Sequence, residues 1–258
     1  MMSRQNNPKM EAVANAPAAT ARNDQPRVLI IVPAFNEARS LPALLRALHS
    51  QCPGCDVVVI DDGSTDGTRE ALAGQARVVS LACNLGIGGA VQTGLKIALL
   101  ENYDIAMQVD GDGQHPAHEV SKLLAALHEM QCDLVVGSRF RNAGGFKSTL
   151  ARRIAIHLFS ASLSRICGTR ITDATSGFRA MNRRAIELLA RRYSEDYPEV
   201  EALVVAHRAG LRIGEVAVQM SERTAGKSSI GSIKSVIYMI KVPLAIFMTL
   251  LRRSEARL

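Results

Sequence analysis

Short apolar runs alternate along residues 27–136 with longer segments in which apolar residues recur every three or four positions. The apolar runs predict five buried strands: residues 27–32, 57–60, 78–82, 105–109 and 134–136. The recurring segments predict four helices: residues 40–49 with Ser40 as N-cap, 68–73, 89–100 and 116–130. A further strand-like run covers residues 212–219. Strands that alternate with helices predict an α/β domain with a mostly parallel sheet and helices on both faces.

Polar residues cluster directly after four of the predicted strands. Because parallel strands end at a common edge of their sheet, ligands of such domains bind at the carboxyl ends of the strands. The four clusters are Asn36 with Glu37, Asp61 with Asp62, Asn84 to Gly89, and Asp110 to Gln114. They predict one binding site along this edge.

The cluster after the fourth strand indicates a metal site. Asp110 and Asp112 lie one residue apart at the end of a buried run, and two carboxylates that close are costly to bury unless a cation neutralises them. Gln114 adds a neutral oxygen. Oxygen ligands favour Mg²⁺ or Mn²⁺, ions that often bridge to substrate phosphates. An acidic turn with glycine at positive φ is the alternative interpretation.

Composition and charge narrow the function classes. The chain has 258 residues, is 47% hydrophobic and 21% charged, and is long enough for one large α/β domain or two small ones. A net charge of +7 favours anionic partners: phosphates, a lipid surface or nucleic acid. The absence of Trp and a 4% aromatic content argue against a non-catalytic nucleic-acid binder. Five cysteines do not suggest a disulfide framework, and Cys52 to Cys55 has the composition of a turn.

Six segments in order carry a family resemblance: Pro33 to Glu37, Asp61 to Asp66, Asn84 to Ala90, Asp110 to Gln114, Gly137 to Phe140, and Thr175 to Arg179. Together they resemble the family 2 glycosyltransferases, and in particular the dolichol-phosphate mannosyltransferase branch, which includes bacterial polyprenyl-phosphate sugar transferases. The resemblance covers residues 27–229. It implies a glycosyltransferase A-type (Rossmann-like) fold and inverting, metal-dependent transfer of a sugar from a nucleotide diphosphate donor.

The resemblance also assigns residues to the donor site. The donor-binding residues would be Pro33, Glu37, Asp62, Asn84, Gly88, Asp110 and Lys227. The metal ligands would be Asp110, Asp112 and Gln114, holding Mg²⁺ or Mn²⁺ against the diphosphate. The catalytic residues would be Asp112, Arg139 and Arg223. Arg223 and Lys227 lie in a segment, residues 222–229, that resembles a family loop over the diphosphate.

The acceptor implied by the resemblance is polyprenyl phosphate, with Arg139, Arg152 and Arg153 as candidate phosphate ligands because guanidinium groups bind phosphate in a bidentate manner. The alternative acceptor is a hydroxyl of a growing cell-surface glycan, which requires a carboxylate base. Five carboxylates are candidates for that base: Asp173, Glu195, Asp196, Glu199 and Glu201. The residue pattern leaves both acceptors open.

The two termini differ from the central domain. Residues 1–26 have the composition of a disordered tail without a secretory signal, so we expect a cytoplasmic protein. Residues 230–258 predict an amphipathic helix with a basic tail, in which the apolar stretch of 236–251 is shorter than the roughly 20 residues that span a bilayer. We expect this helix to lie on the inner face of the cell membrane. Packing on the domain or on a second subunit of a homo-oligomer is the alternative.

Overall fold

The computed structural model describes residues 25–140, 160–194 and 197–221. Within these residues, seven strands form one sheet in the order β3-β2-β1-β4-β6-β5-β7. The strands are β1 Val28–Ala34, β2 Cys55–Asp61, β3 Arg77–Ser80, β4 Ile105–Gln108, β5 Leu134–Ser138, β6 Arg179–Asn182 and β7 Ile213–Ala217. The α/β fold class predicted from the sequence is confirmed.

One strand runs against the others. β6 pairs antiparallel with both of its neighbours, so that its first residue, Arg179, lies opposite Gln108 of β4 and Val136 of β5. Every other pairing in this sheet is parallel. The start of β6 therefore meets the carboxyl ends of β4 and β5. This arrangement brings the segment that precedes Arg179 to the edge where the sequence predicts a site.

Helices cover both faces of the sheet. They are α1 Leu41–Gln51, α2 Thr68–Ala71, α3 Gly86–Leu100, α4 Val120–Glu129, α5 at residues 160–167, α6 Arg183–Leu189 and α7 Pro198–Arg208. Alternate residues of β1 enter different cores. Ile31 belongs to the core that also contains residues of α3, α6 and α7, whereas Ile30 belongs to the core that also contains residues of α1 and α4. Because successive side chains of a strand point to opposite faces of the sheet, β1 contributes to a hydrophobic core on each face.

Several boundaries differ from the predictions. Helix α3 begins at Gly86, three residues before the predicted start, because Gly86 adopts a positive φ of 77° from which the chain enters the helix. Ser40 occupies the N-cap position of α1, but its hydroxyl donates to Glu37 and makes no cap bond with the helix. A short 3-10 helix, Ala117–Glu119, precedes α4. Strand β6 lacks an apolar run and was missing from the prediction.

The predicted turn between α1 and β2 is present, since the amide of Cys55 donates to the carbonyl of Cys52 over 3.0 Å. None of the helices within the described ranges combines the length and hydrophobicity needed to cross a bilayer. The predicted tail of residues 1–26 lies almost wholly outside the described residues, and the predicted helix of 230–258 lies wholly outside them.

Candidate active site

The loops that follow β1 and β2 are locked together by hydrogen bonds. The amide of Asn36 donates to the Ser64 hydroxyl over 2.9 Å, and the Asn36 side chain accepts from the amide of Thr65 over 2.8 Å. The amide of Glu37 donates to the hydroxyl of Thr68 over 3.0 Å. Asn36 has a positive φ of 58°, which asparagine tolerates better than most residues. Two of the predicted clusters therefore form one rigid wall.

Asp62 connects this wall to the third cluster. Its side chain is buried, and its Oδ1 accepts the amide of Leu85 over 2.7 Å. Burial raises the pKa of Asp62, while hydrogen bonds from the amides of Leu85 and Gly86 act in the opposite direction. The backbone amides at the start of α3 thus hold the carboxylate in place at the site edge.

Asn84 forms the turn that the sequence predicts at the start of α3. Its Oδ1 accepts the amide of Gly86 over 3.0 Å, which orders the chain just before the helix. Gly88 is buried in the first turn of α3. Two exposed apolar side chains, Leu85 and Ile87, flank this turn. The third cluster therefore combines a fixed backbone with an apolar surface beside Asp62.

The acidic loop after β4 is anchored on β1. The amide of Gly111 donates to the carbonyl of Pro33 over 3.3 Å, and a Cβ at position 111 would lie 3.0 Å from that oxygen. Asp112 is 9% exposed, and its Oδ1 accepts the amide of Gln114 over 3.0 Å. Pro33 thus contributes its carbonyl to the support of the predicted metal loop.

Asp110 is held from two sides. Gln108 donates from Nε2 to Oδ1 of Asp110 over 3.0 Å. The amide of Asp110 donates to Nδ1 of His115 over 2.9 Å, and this acceptor role requires an unprotonated Nδ1. His115 is buried and stacks on Phe178 with ring centroids 4.8 Å apart. Through this stack, His115 at the end of the acidic loop packs against Phe178 in the segment before β6.

The residues present fit a divalent cation. The carboxylate of Asp110 packs directly against the backbone of Gly177, where a Cβ would lie 2.8 Å from both carboxylate oxygens. Two carboxylates and an amide oxygen are the hard donors that Mg²⁺ and Mn²⁺ prefer. Within the described residues, no group of three or more His, Cys, Asp or Glu side chains could hold an ion. Water and substrate phosphates would complete the coordination, as is usual for Mg²⁺.

Arg139 follows β5 and forms a buried ion pair. Its Nε and Nη2 donate to the two oxygens of Asp173 over 2.7 and 2.8 Å. Burial acts to lower the pKa of Arg139, but the hydrogen bonds and charge of Asp173, together with the charge of Asp110, raise it overall. The fork of this arginine is therefore engaged by a carboxylate beside the acidic loop.

The comparison with known families covers the part of the chain that forms this edge of the sheet. The sequence model of glycosyl transferase family 2 matches residues 29–189, which include the strand ends from β1 to β5 and the start of β6. The chain belongs to this family. The resemblance seen in the motifs is thereby confirmed, and the protein is a glycosyltransferase.

Two curated relatives refine the position of this glycosyltransferase within the family. It is 33% identical over 229 residues to a polyprenol monophosphomannose synthase of Mycolicibacterium smegmatis, an alignment that covers 84% of this chain and 86% of the relative. It is 35% identical over 212 residues to an undecaprenyl-phosphate mannosyltransferase of Micrococcus luteus, with 78% and 86% covered. These names match the dolichol-phosphate mannosyltransferase-like branch.

A solved structure supports the fold of the glycosyltransferase. Glucosyl-3-phosphoglycerate synthase of Mycobacterium tuberculosis, in complex with Mn²⁺, UDP and glucosyl-3-phosphoglycerate, superposes with a TM-score of 0.64 at 22% identity. The match covers 90% of this chain and 81% of that chain. At this identity the similarity shows the fold, which is of the glycosyltransferase A type.

The end of β7 is tied to the acidic loop of the glycosyltransferase. The amide of Ser221 donates to the carbonyl of Gln114 over 3.0 Å, and that of Gln219 donates to Oε1 of Glu119 over 3.0 Å. Four predicted site residues lie outside the described ranges: Arg152, Arg153, Arg223 and Lys227. Arg223 nevertheless follows Ser221 by only two residues in the sequence.

Sequence reasoning missed the carboxylate that orders the loop around Asp173. Glu215 of β7 is buried and accepts the amides of Thr172 and Asp173, each over 2.8 Å. The Thr172 hydroxyl also donates to Glu215 over 2.8 Å. The available signal was a charged residue inside an otherwise apolar strand, which has to find buried partners.

Proposed function

We propose that this glycosyltransferase transfers a sugar from a nucleoside diphosphate sugar to polyprenyl phosphate, with inversion and with Mg²⁺ or Mn²⁺. We place the reaction at the cytoplasmic face of the membrane, in the synthesis of cell-envelope polysaccharide. One observation supports the proposal that the acceptor is a polyprenyl phosphate. Two relatives, each at least 33% identical over more than three quarters of the chain, carry names that specify transfer to a polyprenol phosphate.

The donor half of the proposal rests on the wall formed by the first three strand ends. Asp62 and Glu37 supply carboxylates to which the N–H groups of a base or the hydroxyls of a ribose can donate. Asn84 and Gly88 shape the backbone against which the donor would lie. Asp110, Asp112 and Gln114 would hold the metal ion, which stabilises the charge of the departing diphosphate when it is bound.

The acceptor half rests on Arg139. A phosphate monoester is already an anion, so it needs alignment and relief of charge repulsion rather than a general base. Arg139 lies at the carboxyl end of β5 and is close enough to Asp110 for the charge of that carboxylate to affect its pKa. The pairing with Asp173 fixes the guanidinium group beside the proposed donor site. In this proposal Arg152, Arg153, Arg223 and Lys227 supply the remaining positive charge.

The proposed step is a single displacement. A phosphate oxygen of the acceptor forms a bond to the anomeric carbon while the bond from that carbon to the diphosphate oxygen breaks. The nucleoside diphosphate leaves with the bonding electron pair. Because the attack comes from the face opposite the leaving group, the configuration at the anomeric carbon inverts.

A hydroxyl of a growing glycan is the alternative acceptor. Such an acceptor would need a base, and Asp173 is a poor one, because it is 1% exposed and both of its oxygens bind Arg139. Burial raises the pKa of Glu199 against the charge of Arg179, and a raised pKa suits a general base. Glu195 and Asp196 lie outside the described residues. A phosphate acceptor requires none of these groups to remove a proton.

The proposal is tested by incubating the full chain and Mn²⁺ with UDP- or GDP-linked sugars and undecaprenyl phosphate. Mass spectrometry of the lipid product then identifies the transferred sugar. Excess EDTA should abolish turnover. Asp112→Asn should lower kcat by about 100-fold or more while the Tm stays within a few degrees of wild type, because the change keeps the side-chain shape and removes a metal-ligand charge.

A matched control is Asp56→Asn, which alters an exposed carboxylate near the amino end of β2 and should leave turnover unchanged. Full activity in EDTA would refute the metal assignment. Glycosylation of a glycan hydroxyl with no reaction on undecaprenyl phosphate would refute the acceptor assignment.

A further inference from the structure

A chain of buried polar groups lies behind Asp110 and extends away from the acidic loop. Gln108, which is 1% exposed, donates from Nε2 to Oδ1 of Asp110 over 3.0 Å. Its Oε1 accepts the hydroxyl of Tyr193 over 3.4 Å. Gln108 lies in β4, and Tyr193 lies in the segment between α6 and α7. The carboxylate, the amide and the phenol therefore connect two distant parts of the chain.

The hydrogen-bonding chemistry of the carboxylate, the amide and the phenol permits only one orientation of the Gln108 amide. A carboxylate only accepts hydrogen bonds, so the amide of Gln108 has to turn its nitrogen toward Asp110. The amide oxygen is then left for a donor, and the hydroxyl of Tyr193 is that donor. If the amide were rotated, its oxygen would face a carboxylate oxygen. Tyr193 thus satisfies the amide oxygen in the orientation in which the nitrogen donates to Asp110.

A buried cation lies in the same environment. Arg179 is 1% exposed, and it donates to the carbonyls of Ser176 and Ala174 over 2.8 and 3.0 Å. Its Nη1 has no hydrogen-bond partner within the described residues. Burial raises the pKa of Tyr193; the charge of Arg179 acts against this, and the charges of Glu199 and Asp110 add to it. Tyr193 therefore lies near both a buried positive charge and the carboxylate of Asp110.

We propose that Gln108 and Tyr193 are positioning residues that hold the carboxylate of Asp110 in the orientation needed for metal binding. This inference rests on the proposed role of Asp110 as a metal ligand. Outer partners of ligating carboxylates fix their orientation, and removing such a partner typically weakens metal affinity by about 10- to 100-fold. Gly177 allows this arrangement, because a Cβ there would lie 2.7 Å from Nε2 of Gln108.

The test measures Mn²⁺ binding without turnover. Free Mn²⁺ is quantified by electron paramagnetic resonance in titrations of the full chain, with UDP and with GDP, and the nucleotide that wild type binds is used for the variants. Gln108→Met keeps the length of the side chain and removes the amide, so the Kd for Mn²⁺ should rise about tenfold. Tyr193→Phe removes one hydroxyl that acts through Gln108, and the Kd should rise about threefold.

Two comparisons separate positioning from general damage to the fold. Tyr103→Phe removes another buried hydroxyl, which bonds Asp56 over 2.8 Å near the amino end of β2, and it should leave Mn²⁺ binding unchanged. The double variant of Gln108→Met and Tyr193→Phe should bind Mn²⁺ no more weakly than Gln108→Met alone, because the tyrosine acts through the glutamine.

The outcomes distinguish this inference from the proposed function. If wild type binds no Mn²⁺ with either nucleotide, the metal assignment of the proposed function fails. If wild type binds Mn²⁺ and both single variants match it within twofold, the metal site stands and the positioning role is refuted. An equal loss of Mn²⁺ affinity in Tyr103→Phe, or additive losses in the double variant, would also overturn the inference.

Discussion

Replacement of Gly177 by alanine should lower the rate of sugar transfer strongly and the free energy of unfolding only slightly. Gly177 is buried and its φ lies outside the left-handed region, so alanine brings no backbone strain and adds only a methyl group. That methyl would lie 2.8 Å from both carboxylate oxygens of Asp110, whereas ordinary contact begins at 3.4 Å. The carboxylate would have to move by about 0.6 Å, more than half of the 1 Å misplacement that typically costs about 100-fold in rate.

The expected result for Gly177→Ala is a fall in kcat/KM of about 10- to 100-fold. The free energy of unfolding should fall by only about 1 kcal/mol, because the clashing atoms are the ends of side chains that can shift. Sugar transfer to undecaprenyl phosphate, followed by product mass, measures the rate. Denaturant unfolding measures the stability.

Gly214→Ala is a matched control for overpacking. A Cβ at Gly214 would lie 2.8 Å from the sulfur of Cys132, and this contact is near the amino end of β7, away from the proposed site. This variant should lose similar stability and keep the wild-type rate. If Gly177→Ala were as active as Gly214→Ala, the space beside Asp110 would have no role in the reaction.

Three further predictions concern charge and the chain terminus. Arg139→Ala should lower the free energy of unfolding by about 3 kcal/mol in denaturant titrations, because it removes the guanidinium group that neutralises the buried carboxylate of Asp173. Adding Asp173→Asn to this variant should restore part of that loss. Arg139→Lys should raise the KM for polyprenyl phosphate more than that for the nucleotide sugar, and equal effects on both would contradict the acceptor role. The hydrogen bond from Arg77 lowers the pKa of Glu101 below its ordinary value, so the pair stabilises the fold above that ordinary value and the effect is lost as pH falls through the lowered one. Glu101→Gln should cost at most about 0.5 kcal/mol at pH 7, since both side chains are partly exposed, and less at pH 3 than at pH 7, as thermal melts at the two pH values will test. Removal of residues 230–258 should weaken sedimentation with anionic liposomes, and equal sedimentation of both proteins would show that this segment does not attach the enzyme to lipid.

The parallel half of the fold could be predicted from the sequence because each of its strands is marked by an apolar run within its own short segment. Val and Ile runs mark β1 and β2, the apolar stretch from Ile105 to Val109 marks β4, and the polar residues after them belong to loops that end at one edge of the sheet. Asn36, Asp62 and Asn84 could therefore be assigned to the site edge before their hydrogen bonds were known.

The antiparallel strand could not be predicted in the same way. β6 has the sequence Arg-Ala-Met-Asn, which contains no run of branched apolar residues. It is a strand because β4 and β5 leave a space between them and supply hydrogen-bond partners on both sides. Pairing of this kind depends on residues 43 to 77 positions away, and propensity within a short window does not contain it. The prediction therefore missed the strand that brings Gly177 to Asp110.

The sequence also shows that some buried polar residues need hydrogen-bond partners, but it does not show which residues those partners are. Gln108 and Glu215 each interrupt an apolar strand, and a buried polar side chain is costly unless it is hydrogen-bonded. The sequence thus indicates that both residues have partners. It does not indicate that Gln108 joins Asp110 to Tyr193, 85 positions further along the chain, because hydrogen-bond partners follow from the packing of distant segments. The same reasoning applies to Arg139, because the sequence does not indicate that its Nε and Nη2 pair with Asp173, 34 positions further along the chain.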